Sequence, residues 1–175
     1  MVTDTAAISG QTAPAPDADL ARAAAVAAGV PDPEIPVVTL ADLGILRSVM
    51  RRDGRIVVAL TPTYTGCPAT QAIALAVEVA LTEAGLADAH VETVLSPPWT
   101  TDDITEEGRR KLTAFGIAPP ARRTCGALVL GTQEIACPHC GSSDTERISE
   151  FGSTPCKALW RCRACREPFD YFKCL

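Results

Sequence analysis

Cys137-Pro138-His139-Cys140 and Cys162-Arg163-Ala164-Cys165 stand either side of a twenty-one-residue insert near the C-terminus. Two CxxC pairs spaced this way bring four thiolates to one point, the tetrahedral donor set that zinc takes in structural sites. The spacing predicts a zinc ribbon over residues 135–175, with Cys137, Cys140, Cys162 and Cys165 as the ligands. A segment of that size buries too little apolar surface to fold unaided, and structural zinc supplies on the order of 10 kcal/mol or more. With all four positions filled by protein, the metal keeps no open place for substrate, so the ribbon is not read as catalytic. Four thiolates also accept iron, which leaves the identity of the ribbon metal open.

The 175 residues, 47% of them hydrophobic, allow one domain with its own core beside this metal-stapled module. A formal charge of −5 and 5% aromatics provide neither the basic stripe nor the stacking platform of a nucleic-acid binder. Eight cysteines would suit a secreted disulfide scaffold, but the first ten residues have no basic n-region and no apolar h-region. A reduced, cytoplasmic setting is expected. The longest apolar stretch, Ala72 to Leu86, carries Glu78 and Glu83 and falls short of the roughly 20 residues that span a bilayer. No membrane partner is expected.

Residues 1–17, rich in Ala, Thr, Pro and Asp without periodicity, are expected to form a disordered leader. Asp17 or Asp19 can cap a helix running to about Ala28, stopped by Gly29 and Pro31. Asp32-Pro33-Glu34-Ile35-Pro36 cannot be helical through its prolines and reads as an ordered turn. Two apolar runs, Ile45 to Met50 and Arg55 to Leu60, are joined by Arg51-Arg52-Asp53-Gly54, a hairpin signal. Pro68 opens a helix to Gly85 with Ile73, Leu75, Ala76, Val79 and Ala80 on its apolar stripe; a strand over Val91–Leu95 and a shorter helix from Thr105 to Gly116 follow. The expected architecture is an α+β domain over 18–118, a small sheet with helices packed on one face, joined by a linker over 119–134 to the C-terminal ribbon. A strand over Cys125–Gly131 is expected to lead into that ribbon.

Thr65-Gly66-Cys67-Pro68 places a cysteine directly before the long helix, where free backbone N–H groups and the positive end of the helix dipole stabilise a thiolate. Such a sulfur can ligate a metal, carry a persulfide or attack an electrophile; equally, Cys67 can be a small packed hydrophobe. Neither His90 nor His139 is placed by sequence as its base, so a thiol hydrolase is not expected. Asp32 and Glu34 either face Cys67 or merely cap their turn. Asp102, Asp103, Glu106 and Glu107 read as helix-start acids, and Arg109-Arg110-Lys111 as a solvated face. Trp99 reads as a core plug or a partner contact. Cys125, Cys156 and Cys174 remain once zinc has taken its four; the turn Gly152-Ser153-Thr154-Pro155 can hold Cys156 near the knuckles, where it reads as a spare ligand, a packed thiol or a free one, and Cys174 is a second accessory thiol.

Asp32-Pro33-Glu34-Ile35-Pro36, Leu43-Gly44-Ile45 and Thr61-Pro62-Thr63-Tyr64-Thr65-Gly66-Cys67-Pro68, in this order, resemble the iron–sulfur carrier and assembly domains that include the SufT-type proteins. Pro98-Trp99-Thr100-Thr101-Asp102, Phe151-Gly152-Ser153-Thr154-Pro155-Cys156-Lys157-Ala158-Leu159-Trp160 and Glu167-Pro168-Phe169-Asp170-Tyr171-Phe172-Lys173-Cys174 resemble one branch of that family, the PaaD (or PaaJ) proteins of phenylacetate degradation. The resemblance implies an accessory subunit of the ring-1,2-phenylacetyl-CoA epoxidase, not catalytic on its own, that assists maturation of iron or iron–sulfur centres. A constitutive structural subunit is the alternative. It implies Cys67 as the reactive or cluster-ligating cysteine, Asp32 and Glu34 as its acidic turn, structural zinc, a transient iron or iron–sulfur cargo, and the other epoxidase subunits and iron–sulfur assembly proteins as partners. One departure stands out: an aromatic commonly follows Thr-Thr-Asp in the branch, where this chain has Asp103, which would alter a docking surface.

Overall fold

The computed structural model describes residues 17–120 and 135–173. The leader over 1–16, the strand expected over Cys125–Gly131, and Cys125 and Cys174 themselves lie outside the described residues. Helix α1 (Ala18–Gly29) starts at Asp17, whose side chain accepts from the Leu20 amide at 3.1 Å. Strands β1 (Leu46–Arg52) and β2 (Arg55–Leu60) form the hairpin; helix α2 (Ala69–Glu83) then crosses over to β3 (His90–Thr93), which lies parallel to β2. The sheet order β1-β2-β3 follows from the connections: a tight turn permits only an antiparallel neighbour, whereas a helix returns the chain for a parallel one. A 3₁₀ turn (Thr101–Asp103) and helix α3 (Glu106–Ala114) complete the domain.

Four further strands make a second sheet in the order β4-β7-β6-β5: β4 (Ile117–Ala118), β5 (Thr145–Ser149), β6 (Lys157–Cys162) and β7 (Pro168–Phe172). Ile117 and Ala118 pair in parallel with Asp170 and Tyr171, so residues next to α3 supply the edge strand of the ribbon's sheet. The cores are joined as well. Cys156 and Phe172, from the ribbon, belong to the same buried cluster as Leu40, Leu43, Val58, Ile73, Val77 and Leu112 of the first domain. Trp99 locks this seam: its indole N–H donates to the Leu43 carbonyl at 2.8 Å and its ring lies 6.1 Å from that of Phe172. It is therefore the core plug of the two sequence readings.

The apolar stripe of α2 differs from the expected one. Ala69, Ile73, Val77 and Leu81 are buried, whereas Leu75 and Val79 are 60% and 48% exposed. The helix is apolar nearly all round, so periodicity admits several stripes, and the i, i+4 series that meets the sheet is chosen by packing. The basic run on α3 is also not a uniformly solvated face. Only Arg110 remains outside, paired with Glu107; Arg109 is buried and donates to the carbonyls of Thr101, at 2.5 Å, and Pro120, while Lys111 pairs with Asp42 at 2.7 Å. The short helix needs these ties, having few apolar residues with which to anchor itself. Asp103 closes its own 3₁₀ turn on the Thr100 amide at 2.8 Å and pairs with Arg47 at 3.1 Å, an intramolecular task that accounts for a carboxylate at this position. Among the described residues no helix is long and apolar enough to cross a membrane.

Candidate functional site

The ribbon brings its four predicted sulfurs together. Those of Cys137, Cys140, Cys162 and Cys165 all lie within 4.8 Å of one another, with Cys137–Cys165 at 3.7 Å and Cys140–Cys162 at 3.6 Å. A tetrahedron with metal–sulfur bonds of about 2.3 Å places its sulfurs about 3.8 Å apart, so the donor set fits zinc in both chemistry and size. The Cys165 amide donates to the Cys162 sulfur at 3.5 Å and is the leading cause of that thiol falling to about 7, while, against the Glu167 backbone hydrogen bond, burial and the neighbouring sulfurs raise Cys165 to about 12. His139 stays out of the donor set and lies against Gly116 of the first domain.

The second site lies at the seam. Gly66, at φ +87°, takes a left-handed conformation that costs a side-chain-bearing residue more, and it delivers Cys67 to the start of α2. There Cys67 is half-buried, its carbonyl accepting from the Thr70 amide at 3.2 Å and the Thr70 hydroxyl at 2.9 Å. Its neighbours form a cavity of about 30 Å³ lined by Asp32, Glu34, Thr61, Cys67, Cys156 and Phe172, together with further threonines and aliphatic side chains. Both readings of the acidic turn hold together: the Asp32 carboxylate accepts from the amides of Glu34, at 2.9 Å, and Ile35, at 2.8 Å, while Asp32 and Glu34 both line the cavity with Cys67.

Charge accumulates poorly in this place. Burial raises Asp32 above its ordinary 3.8, against the pull of its two amide donors; burial and then the Asp32 charge raise Glu34. Cys156 is pushed up chiefly by burial, although the Thr154 hydroxyl 3.0 Å from its sulfur and the nearby Lys157 act the other way. Tyr64 is raised first by burial and then by the facing Cys67, Cys156 and Glu34. Burial thus disfavours the anionic forms of these groups, a cost that a nearby cation would offset.

Of the readings open to Cys156, the packed thiol holds: it is buried apart from the four ribbon sulfurs and lines the cavity with Cys67. Local geometry explains this. A Cβ on Gly152 would meet Asp170 Oδ1 at 2.5 Å, so glycine there lets the loop close on β7, where the Gly152 amide donates to the Lys157 carbonyl at 2.8 Å. The closed loop turns Cys156 away from the knuckles and toward the first domain. Thr61 and Tyr64 escape the sequence reading as functional candidates, although both lie in the stretch from Thr61 to Pro68 that carries the family resemblance. Phe172 and Lys157 also lie in stretches that carry the resemblance, but their relation to the site exists only once the domains pack.

A half-exposed thiol beside a carboxylate turn stands next to a ribbon whose four cysteines are placed to hold a metal ion, the features of a metal-binding protein. Residues 21–95 match the family described as "Iron-sulfur cluster assembly protein", and residues 122–173 the "PaaD zinc beta ribbon domain". An Escherichia coli (strain K12) protein, provisionally named as one of the subunits of a 1,2-phenylacetyl-CoA epoxidase, is 50% identical over 146 residues, covering 83% of this chain and 87% of its own. The chain belongs to this family, the PaaD-type subunits of phenylacetyl-CoA epoxidases. Among solved structures, a domain of unknown function from Bacillus anthracis is 26% identical and covers 54% of this chain and 92% of its own, with a TM-score of 0.49. A Mycobacterium tuberculosis protein associated with iron–sulfur complex assembly and repair is 32% identical and covers 65% and 98%, with a TM-score of 0.32.

Proposed function

We propose that this chain is an accessory maturation subunit of a phenylacetyl-CoA epoxidase, working in the cytoplasm: it carries iron, or an iron–sulfur unit, to the oxygenase on a transient Cys67 thiolate. The observation that carries the reading is the position of Cys67, half-buried at the cavity that also presents Asp32 and Glu34. A soft donor beside hard oxygens suits iron, and the partial exposure of Cys67 leaves the cargo a way in and out. In this reading the ribbon holds zinc on Cys137, Cys140, Cys162 and Cys165 and serves as a rigid docking module for the other epoxidase subunits and for iron–sulfur assembly proteins. The chain does not turn over substrate itself.

The test is a deletion strain complemented with Cys67→Ser. Loss of epoxidase activity together with low iron in the purified oxygenase is expected; normal activity with normal iron loading would discard the thiolate role. The relative's description as a subunit favours one other reading, a constitutive member of the oxygenase complex. Co-purification separates the two: a constitutive subunit stays stoichiometric with the mature enzyme, and a maturation factor leaves it.

A further inference from the structure

We propose that the zinc ribbon completes the cargo site: Cys156 is its second thiol ligand, and the cavity at the seam takes a single thiophilic metal ion between Cys67 and Cys156 rather than a preassembled cluster. This rests on Cys67 being a transient ligand, as proposed above. The two cysteines come from different domains yet line one cavity. Cys156 is fixed there by the Thr154 hydroxyl 3.0 Å from its sulfur and by its carbonyl, which accepts from the Lys173 amide at 2.9 Å.

A second, independent observation concerns Thr61. It is 1% exposed and lines the same cavity, and its hydroxyl has no partner among the described residues. Buried hydroxyls are almost always hydrogen-bonded, so an ion or an ion-bound water in the cavity gives Thr61 the partner it lacks. Donor number sets the nature of that occupant. Iron–sulfur clusters are held as a rule by four protein thiolates; this cavity presents two, Cys67 and Cys156, which suits one ion.

Charge agrees with this choice. Asp32, Glu34 and two thiolates would place up to four negative charges around one small space, against Lys157, whose ammonium is held 3.6 Å from Asp170 on the ribbon side. A divalent cation offsets that excess. As each metal–sulfur bond forms, the thiol's proton passes to solvent, and no electron changes hands. Outside the ribbon, no three donors among the described residues lie within 4.8 Å of one another; two thiols with loosely placed oxygens make a site that releases its ion.

The test uses the full chain with zinc already in the ribbon, titrated anaerobically with cobalt(II), whose sulfur-to-metal charge-transfer absorption grows with the number of bound thiolates. Wild type is expected to show the intensity of two thiolates at the added cobalt, a readout that needs no variant. Cys156→Ser and Cys67→Ser should each halve that intensity and weaken binding by at least about tenfold, since even groups that only support a ligand are worth that much. Thr61→Val should keep the intensity and weaken binding severalfold. Unchanged zinc content and thermal transition in each variant show that the fold persists. Loss in Cys67→Ser with full intensity in Cys156→Ser overturns this inference and leaves the Cys67 reading standing; unchanged binding in both variants overturns both. Mössbauer spectra of the wild type loaded with ferrous iron should show one mononuclear site, and a cluster signal overturns the single-ion assignment.

Discussion

The molecule handles sulfur in two opposite ways. In the ribbon, four thiols converge within 4.8 Å, fill a metal's coordination sphere and leave no position free. At the seam, two thiols on different domains share a small cavity with two carboxylates and an orphan hydroxyl. A complete donor set retains its metal and becomes part of the fold; an incomplete one binds and lets go. The difference lies in convergence and exposure, because the donor chemistry is nearly the same. In the proposed reading the ribbon also sets up the seam site, since its sheet carries Cys156 and Phe172 into the first domain's core.

The largest expected effect comes from breaking the permanent site. Removing the ribbon metal withdraws binding energy on the order of 10 kcal/mol, and replacing Cys162 with Ser takes away one of the four bonds that supply it. Hydrogen exchange should then show loss of protection in β5–β7, while β1 and β2 stay protected; equal loss in both sheets would mean that the first domain depends on the ribbon for its fold. Phe172→Ala tests the seam itself. Phe172 is 1% exposed and in contact with Trp99, so truncation should cost about 3–5 kcal/mol in denaturant unfolding and weaken metal binding at the cavity while zinc stays in place.

Smaller effects separate structural carboxylates from functional ones. Burial pushes Asp42 up, but the Lys111 ammonium and the Thr39 donors outweigh it and hold the carboxyl below 3.8. Its contribution is therefore present above that value and lost as pH falls through the folded-state one. Asp42→Asn should destabilise by about 1.5–3 kcal/mol at neutral pH and flatten the acid limb of the stability curve, without touching metal binding. Asp32 has the opposite sign. Its raised carboxyl stabilises the fold fully below 3.8, and that contribution disappears as pH rises through the folded-state value. Asp32→Asn, which keeps an oxygen for the Glu34 and Ile35 amides, should leave the fold at neutral pH unchanged or more stable by less than about 1 kcal/mol, yet weaken cobalt binding at the seam. A variant that lost stability and kept its cobalt affinity would make Asp32 a turn residue only.

The ribbon site is fully legible in the sequence, because the spacing of Cys137, Cys140, Cys162 and Cys165 encodes its geometry locally. The hairpin, the three helices and the lone Cys67 before α2 are legible for the same reason: turn residues and caps act over a few positions. The seam site is legible only in halves. Cys67 and the acidic turn carry signals, but Cys156 reads as a spare ligand, a packed thiol or a free one, since nothing in its neighbourhood states which way the loop after Gly152 turns. Arg109 eludes such a reading because a buried guanidinium tied to carbonyls looks, in sequence, like any charge on a surface helix. The stripe on α2 is ambiguous because an alanine-rich helix offers packing several near-equivalent faces. What the sequence does not express in each case is a contact between segments far apart along the chain.

The contrast between a held and a released metal is tested most directly by metal analysis of anaerobically purified chain, wild type beside Cys67→Ser, before and after brief treatment with a ferrous chelator. About one tightly held zinc in both proteins, with additional iron only in the wild type and removed by the chelator, is the predicted result. Equal iron in the two proteins, or iron that resists the chelator as firmly as the ribbon metal does, would contradict it.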